Sequence, residues 1–103
     1  MIHKIQNDDM QKALECEVAV VDFSATWCGP CQMLAPVLEK ISEEMAEKVE
    51  FFNADTDENT SLAIQNGITN IPALLLLKNG KTVDIKVGFT PENELKNWIL
   101  GQL

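Results

Sequence analysis

The sequence has no arginine, one histidine and three cysteines. Without arginine, and with eight lysines spread along the chain against 16 acidic residues, it lacks the clustered cations that phosphate contacts require. No nucleic-acid partner is expected, and the net charge of −8 reads as a solubilising surface. Three cysteines are too few, and odd in number, for a secreted disulfide framework. The longest apolar run, IPALLLL, falls far short of the ~20 residues that cross a bilayer. The opening MIHKIQNDDM is polar and acidic, so no secretory signal is expected there. No G-x-G-x-x-G fingerprint for a flavin or nicotinamide occurs. These absences point to a cytoplasmic protein without membrane contact, and 103 residues leave room for one domain, 1–103.

What is present alternates between strand and helix patterns. IHKI at Ile2 to Ile5 reads as a short strand, and Asp8 or Asp9 as the cap of a short helix burying Met10, Ala13 and Leu14. VAVVDFSA, Val18 to Ala25, is almost continuously apolar, as a strand covered on both faces would be, which predicts a central parallel strand. Leu34, Val37, Leu38, Ile41 and Met45 recur at helical spacing, with Pro36 as a kink inside that helix. VEFFNAD is the next strand, and a short helix from about Thr60 to Asn66 ends at Gly67. PALLLLK and TVDIKVG flank Asn79-Gly80, a hairpin signal that makes them antiparallel. Thr90-Pro91 opens a last helix with Leu95, Trp98, Ile99 and Leu103 facing inward. The order is β-α-β-α-β followed by α-β-β-α, an α/β fold whose central mixed five-stranded sheet is flanked by four helices on both faces.

Two of the cysteines, Cys28 and Cys31, stand in the segment WCGPC. They fall between the end of the central strand and the start of the next helix, where open α/β sheets place their sites. Unpaired N–H groups and the partial positive charge of a helix N-terminus favour a thiolate. Cys28, nearer the loop, is the expected attacker. Cys31, one helical turn on, is placed to resolve a mixed disulfide. A zinc site would have Cys16, Cys28, Cys31 and His3 as its Cys and His ligands and lacks the second closely spaced pair of common zinc motifs, so no metal is expected. Gln32 removes the C-x-x-C-H haem signature. Cys16 reads as a small buried hydrophobe or, alternatively, a regulatory thiol. Asp22, inside the apolar strand, is a carboxylate taken from water; it is either an ordinary hydrogen-bonded strand residue or a proton acceptor and donor for Cys31 with a raised pKa.

WCGPC, preceded by VVDFSAT and followed by NIPALLLLKNGK and KVGF, closely resembles the thioredoxin family, over essentially the whole chain. The resemblance implies the thioredoxin fold and supports the proton-handling role for Asp22. It also implies that Gly29 and Pro30 tune the redox potential toward a reductant. Ile71-Pro72 looks like the family's cis-proline loop, which faces the cysteines and pairs with bound substrate. Trp27 and Gly88 look like part of the apolar docking surface, although Gly88 also reads as a strand-ending glycine.

The expected function is therefore that of a general protein dithiol–disulfide oxidoreductase. Cys28 attacks, Cys31 resolves, and a redox-active Cys28–Cys31 disulfide is left, with no bound cofactor. The partners implied are client proteins with disulfides and a thioredoxin reductase-type electron donor, the chain itself being a monomer. The alternatives are a disulfide oxidase or isomerase, or a partner-specific binding and assembly module. Ser24, Gln32 and Asn53 stand where relatives frequently carry an aromatic residue and two lysines. Without a neighbouring ammonium, Asp22 is expected to be harder to ionise and Cys28 slightly less acidic.

Overall fold

A computed structural model describes residues 1–103. The elements follow in the order β1 (Ile2–Lys4), α1 (Gln11–Leu14), β2 (Val18–Ser24), α2 (Gly29–Glu44), β3 (Glu50–Asp55), α3 (Thr60–Gln65), β4 (Ala73–Lys78), β5 (Lys81–Val87) and α4 (Glu92–Leu100). The five strands form one sheet in the order β1-β3-β2-β4-β5.

Alternation along β2 divides the core between the two faces of the sheet. Val18 and Val20 pack with Leu34, Leu38 and Ile41 of α2 and with Leu95 and Ile99 of α4. Ala19, Val21 and Phe23 point the other way, into a cluster with Ala13 of α1 and Leu62 and Ala63 of α3. Both faces of β2 are thus covered, which is why its sequence is nearly unbroken apolar.

The expectation that β2 lies among parallel neighbours is half right. It runs parallel to β3 but antiparallel to β4. Between β3 and β4 the chain passes through α3, whose six residues span about 9 Å. β4 begins at the end of the sheet where β3 finished. β4 then turns at Asn79-Gly80, both at positive φ, into the antiparallel β5, as expected.

The capping aspartates divide their work. Asp9 Oδ1 accepts the Gln11 N–H at 2.9 Å and so serves α1, where Met10 and Ala13 are buried and Leu14 is half-buried. Asp8, at φ 57°, instead accepts the Leu62 N–H at 2.9 Å and caps α3 from 54 residues away. Asn59 precedes α3 but spends its side chain elsewhere: Nδ2 donates to the carbonyls of Ile5 and Asp55, and Oδ1 accepts the Asp8 N–H.

At the other end of α3, Asn66 and then Gly67 (φ 70°) close the helix. A Cβ at Gly67 would meet nothing within 4 Å, so strain from the left-handed backbone is the whole cost of Gly67→Ala. The expected loss is about 1 kcal/mol, read as a lower denaturant midpoint with an unchanged slope. Leu103 departs from expectation. α4 ends at Leu100, so the helical register that would turn Leu103 inward does not reach it, and it is 45% exposed. Trp98 is half-buried, its indole N–H donating to Asp84 Oδ2 at 2.8 Å.

Candidate active site

Cys28 is the N-cap of α2, and Gly29, Pro30 and Cys31 form its first turn. Pro30 fits there because its missing N–H has no intrahelical partner. Cys28 and Cys31 are joined by a disulfide. The Cys31 N–H donates to Cys28 Sγ at 3.3 Å. In the dithiol state that same N–H, at the positive end of a 16-residue helix, is a ready donor to a thiolate.

The sulfurs lie close under the surface. Cys28 is 6% and Cys31 5% exposed, packed with Ala25 and the half-buried Ile71. Cys28 Sγ is 3.9 Å from the Ile71 carbonyl oxygen. The Ile71-Pro72 bond is cis, as the resemblance implied. The Pro72 carbonyl accepts the Gly88 N–H at 2.8 Å, so Gly88 (φ 91°), one residue past β5, both ends the strand and ties it to the loop beside the disulfide. Trp27 is 70% exposed. Its indole N–H donates to Asp57 Oδ2 at 2.9 Å, which holds the ring on the surface next to the cysteines.

Asp22 lies deeper. By alternation with Val18 and Val20 it points to the face that α2 covers, and it is 5% exposed. Burial pushes its pKa from the ordinary 3.8 up to about 6, and the Asn53 amide opposes part of that rise. Asn53 Nδ2 donates to Asp22 Oδ2 at 3.1 Å, while Asp22 Oδ1 is buried without a partner. No hydrogen bond joins Asp22 to either sulfur, and Asn53 is the only side chain bonded to its carboxyl group.

The structure brings Cys28, Cys31, Ile71, Pro72, Gly88 and Trp27 together at one end of the sheet, and Asp22 is buried two residues before β2 ends. Asp57 was missed by sequence reasoning. It is 30 residues from Trp27, and the one available cue was the pairing of β2 with β3, which sets Ser24 against Asp55 and so brings the two following loops side by side. Cys16 is not the fully buried residue expected. It is half-buried at the far end of β2, its thiol donating to the Lys12 carbonyl at 3.1 Å, in a cleft of about 680 Å³ shared with His3, Lys12 and Glu50. Burial, then the charges of Glu50 and Glu15, push its pKa up and away from a reactive thiolate. The full length of β2 separates it from the other two cysteines. His3 Nε2 lies 3.0 Å from Glu50 Oε2. No three His, Cys, Asp or Glu side chains converge to hold a metal ion.

Comparison with known proteins agrees with this arrangement. The family model described as thioredoxin matches residues 1–101. The chain is 43% identical to a thioredoxin of Staphylococcus epidermidis over 94 residues, 91% of this chain and 90% of that one. It is 45% identical to a thioredoxin of Bacillus subtilis over 82 residues, 80% and 79% of the two chains. A solved structure of a Malassezia sympodialis thioredoxin superposes with a TM-score of 0.87 at 36% identity, covering 98% of this chain and 90% of that one. With its disulfide capping α2, its five-stranded mixed sheet and these relatives over most of its length, the chain belongs to the thioredoxin family.

Proposed function

We infer that the chain is a general protein dithiol–disulfide oxidoreductase in which Cys28 is the nucleophile and Cys31 the resolving thiol. The observation that carries this reading is the Cys28–Cys31 disulfide at the start of α2, beside the exposed Trp27. In the dithiol form, Cys28 as thiolate attacks one sulfur of a client disulfide and the other client sulfur leaves as a thiolate. Cys31 then loses its proton to Asp22 and attacks Cys28 Sγ. The Cys28–client bond breaks, the second client sulfur leaves with its electron pair, and the Cys28–Cys31 bond forms. The client takes up two electrons and two protons in all.

A carboxyl group with a pKa near 6 exchanges protons close to neutrality, which suits Asp22 to this role. The neighbouring groups support a docking role for Trp27, Ile71, Pro72 and Gly88, and a tuning role for Gly29 and Pro30 between the sulfurs. The whole chain, 1–103, acts as one domain and as a monomer. It works in the cytoplasm with no nucleic-acid or membrane partner, and a thioredoxin reductase-type protein returns it to the dithiol. No helix is long and apolar enough to cross a membrane.

The test is reduction of insulin disulfides by dithiothreitol. The parent is expected to accelerate it well beyond dithiothreitol alone, and a folded, fully reduced parent that gives no acceleration would overturn the reading. Gln32 supplies a second check. Its amide donates to the Thr26 carbonyl and brings no charge to the first turns of α2. Gln32→Lys is expected to lower the Cys28 thiol pKa by a few tenths of a unit through a screened charge, read from thiolate absorbance in paired titrations. No difference between the two proteins would remove Gln32 from the account of Cys28 acidity.

A further inference from the structure

Asn53 carries an amide with two N–H protons and faces three acceptors. Nδ2 lies 3.1 Å from Asp22 Oδ2, 3.3 Å from the Asp22 carbonyl oxygen and 2.8 Å from Ser24 Oγ. The carbonyl and the ionised carboxyl group can only accept, so the amide has one orientation; turned over, its oxygen would face both of them. Asn53 and Asp22 are directly opposed across β3 and β2, and Ser24, two residues on, shares their face.

The charged groups around Asp22 are remote or already engaged. The row across the sheet runs Lys4, Asn53, Asp22, Leu74, Lys86 from β1 to β5. Each lysine stands two strands, about 10 Å, from Asp22. Lys4 is exposed, and Lys86 lies 3.9 Å from Glu94 and over the Trp98 ring. From α2 come the disulfide and four exposed charged residues, Glu39, Lys40, Glu43 and Glu44. From α4, Glu92 and Lys96 are paired with each other and with Lys40 and Glu44. The one polar side chain that touches the Asp22 carboxyl group is therefore uncharged.

We propose that Asn53 is a positioning residue for Asp22, and that Ser24 governs it by competing for the same amide. The amide holds Oδ2 as a standing acceptor. Oδ1, buried and unpartnered, is left as the oxygen that takes up the proton from Cys31 and returns it. Because two protons serve three acceptors, and the shortest contact goes to Ser24, the hold on Oδ2 is partial. This rests on the assignment of Asp22 as the proton-exchanging group.

The competition makes two neighbouring substitutions act in opposite directions. Asn53→Leu, similar in size, removes the donor, so the carboxylate loses its one stabilising contact and the Asp22 midpoint rises by about one pH unit. Ser24→Ala removes the competitor, freeing an N–H for Oδ2, and the midpoint falls. Both are measured on the oxidised protein by following the Asp22 carboxyl carbon resonance against pH, a readout independent of activity. The pH midpoint of the second chemical step, followed as release of thionitrobenzoate from its mixed disulfide with Cys28, is expected to move in the same order. Midpoints that both stay put, or that both move the same way, would overturn the proposal. So would carboxyl midpoints that separate while the release profile does not. If Asn53→Leu does not fold, the fall in Ser24→Ala still decides, since a merely structural hydroxyl would not lower the midpoint. Failure of the parent to reduce insulin is a separate result and would count against the redox reading itself.

Discussion

Cys31→Ser is expected to turn a catalyst into a trap. Its Cys28 still attacks a client disulfide, but a serine hydroxyl at position 31 cannot displace the client sulfur, so the mixed disulfide accumulates and turnover falls to the rate of dithiothreitol alone. Cys28→Ser is expected to give the same loss of turnover with no trapped adduct, because the attacking sulfur is gone. The asymmetry follows from the two positions. Cys28 is the cap, at the boundary between loop and helix, and Cys31 lies inside the first turn. Intact-mass measurement after mixing each reduced variant with a disulfide client separates the outcomes. An adduct on Cys31 in the Cys28→Ser variant, or full turnover in either variant, would reverse or abolish the assigned roles. Cys16→Ser is the internal control, with turnover unchanged, since its half-buried thiol sits a whole strand away from the disulfide.

The second large effect is on stability. An Asp whose pKa is 3.8 in the unfolded chain and about 6 in the folded one gives up its proton first in the unfolded state as pH rises. Between those values the unfolded chain holds fewer protons, so stability falls with increasing pH, and the whole penalty is in place above about pH 6. A difference of about two units corresponds to about 3 kcal/mol. Asp22→Asn, nearly the same shape, cannot ionise and escapes the penalty. Relative to the parent, the variant is therefore expected to gain about 3 kcal/mol on moving from pH 3 to pH 7.5, whatever the packing cost of the amide, because that cost is common to both conditions. Denaturant melts of the two oxidised proteins at both pH values measure it. A stability difference that does not change with pH would mean that Asp22 titrates normally in the fold.

The sequence was most legible where one local pattern had one physical cause. β2 was readable because burial on both faces leaves an unbroken apolar run, and Asp22 stood out as the one charge inside it. The β4–β5 hairpin was readable because Asn79-Gly80 tolerates positive φ at two successive positions. The site was legible in its sulfurs because C-x-x-C spacing across a strand-to-helix boundary is a local feature. What stayed hidden was decided by contacts between distant segments. Neither the Asp57 grip on the Trp27 indole nor the Asp8 cap on α3 leaves any periodic trace, and the direction of β4 against β2 is a pairing between segments far apart in sequence. The cis bond at Pro72 could be anticipated through the family resemblance, since an X-Pro pair reads the same in either isomer.

The Asp8 contact with α3 has a consequence for the order in which a nascent chain can assemble. β1 has a single neighbour in the sheet, β3, and the loop that follows β1 caps a helix beginning at Thr60. During N-to-C synthesis β1 therefore has no strand to pair with until β3, ending at Asp55, has followed it. β2, by contrast, already has α2 behind it to cover one face. β1 and the loop after it thus wait on later segments, one closing the edge of the sheet and the other the start of α3.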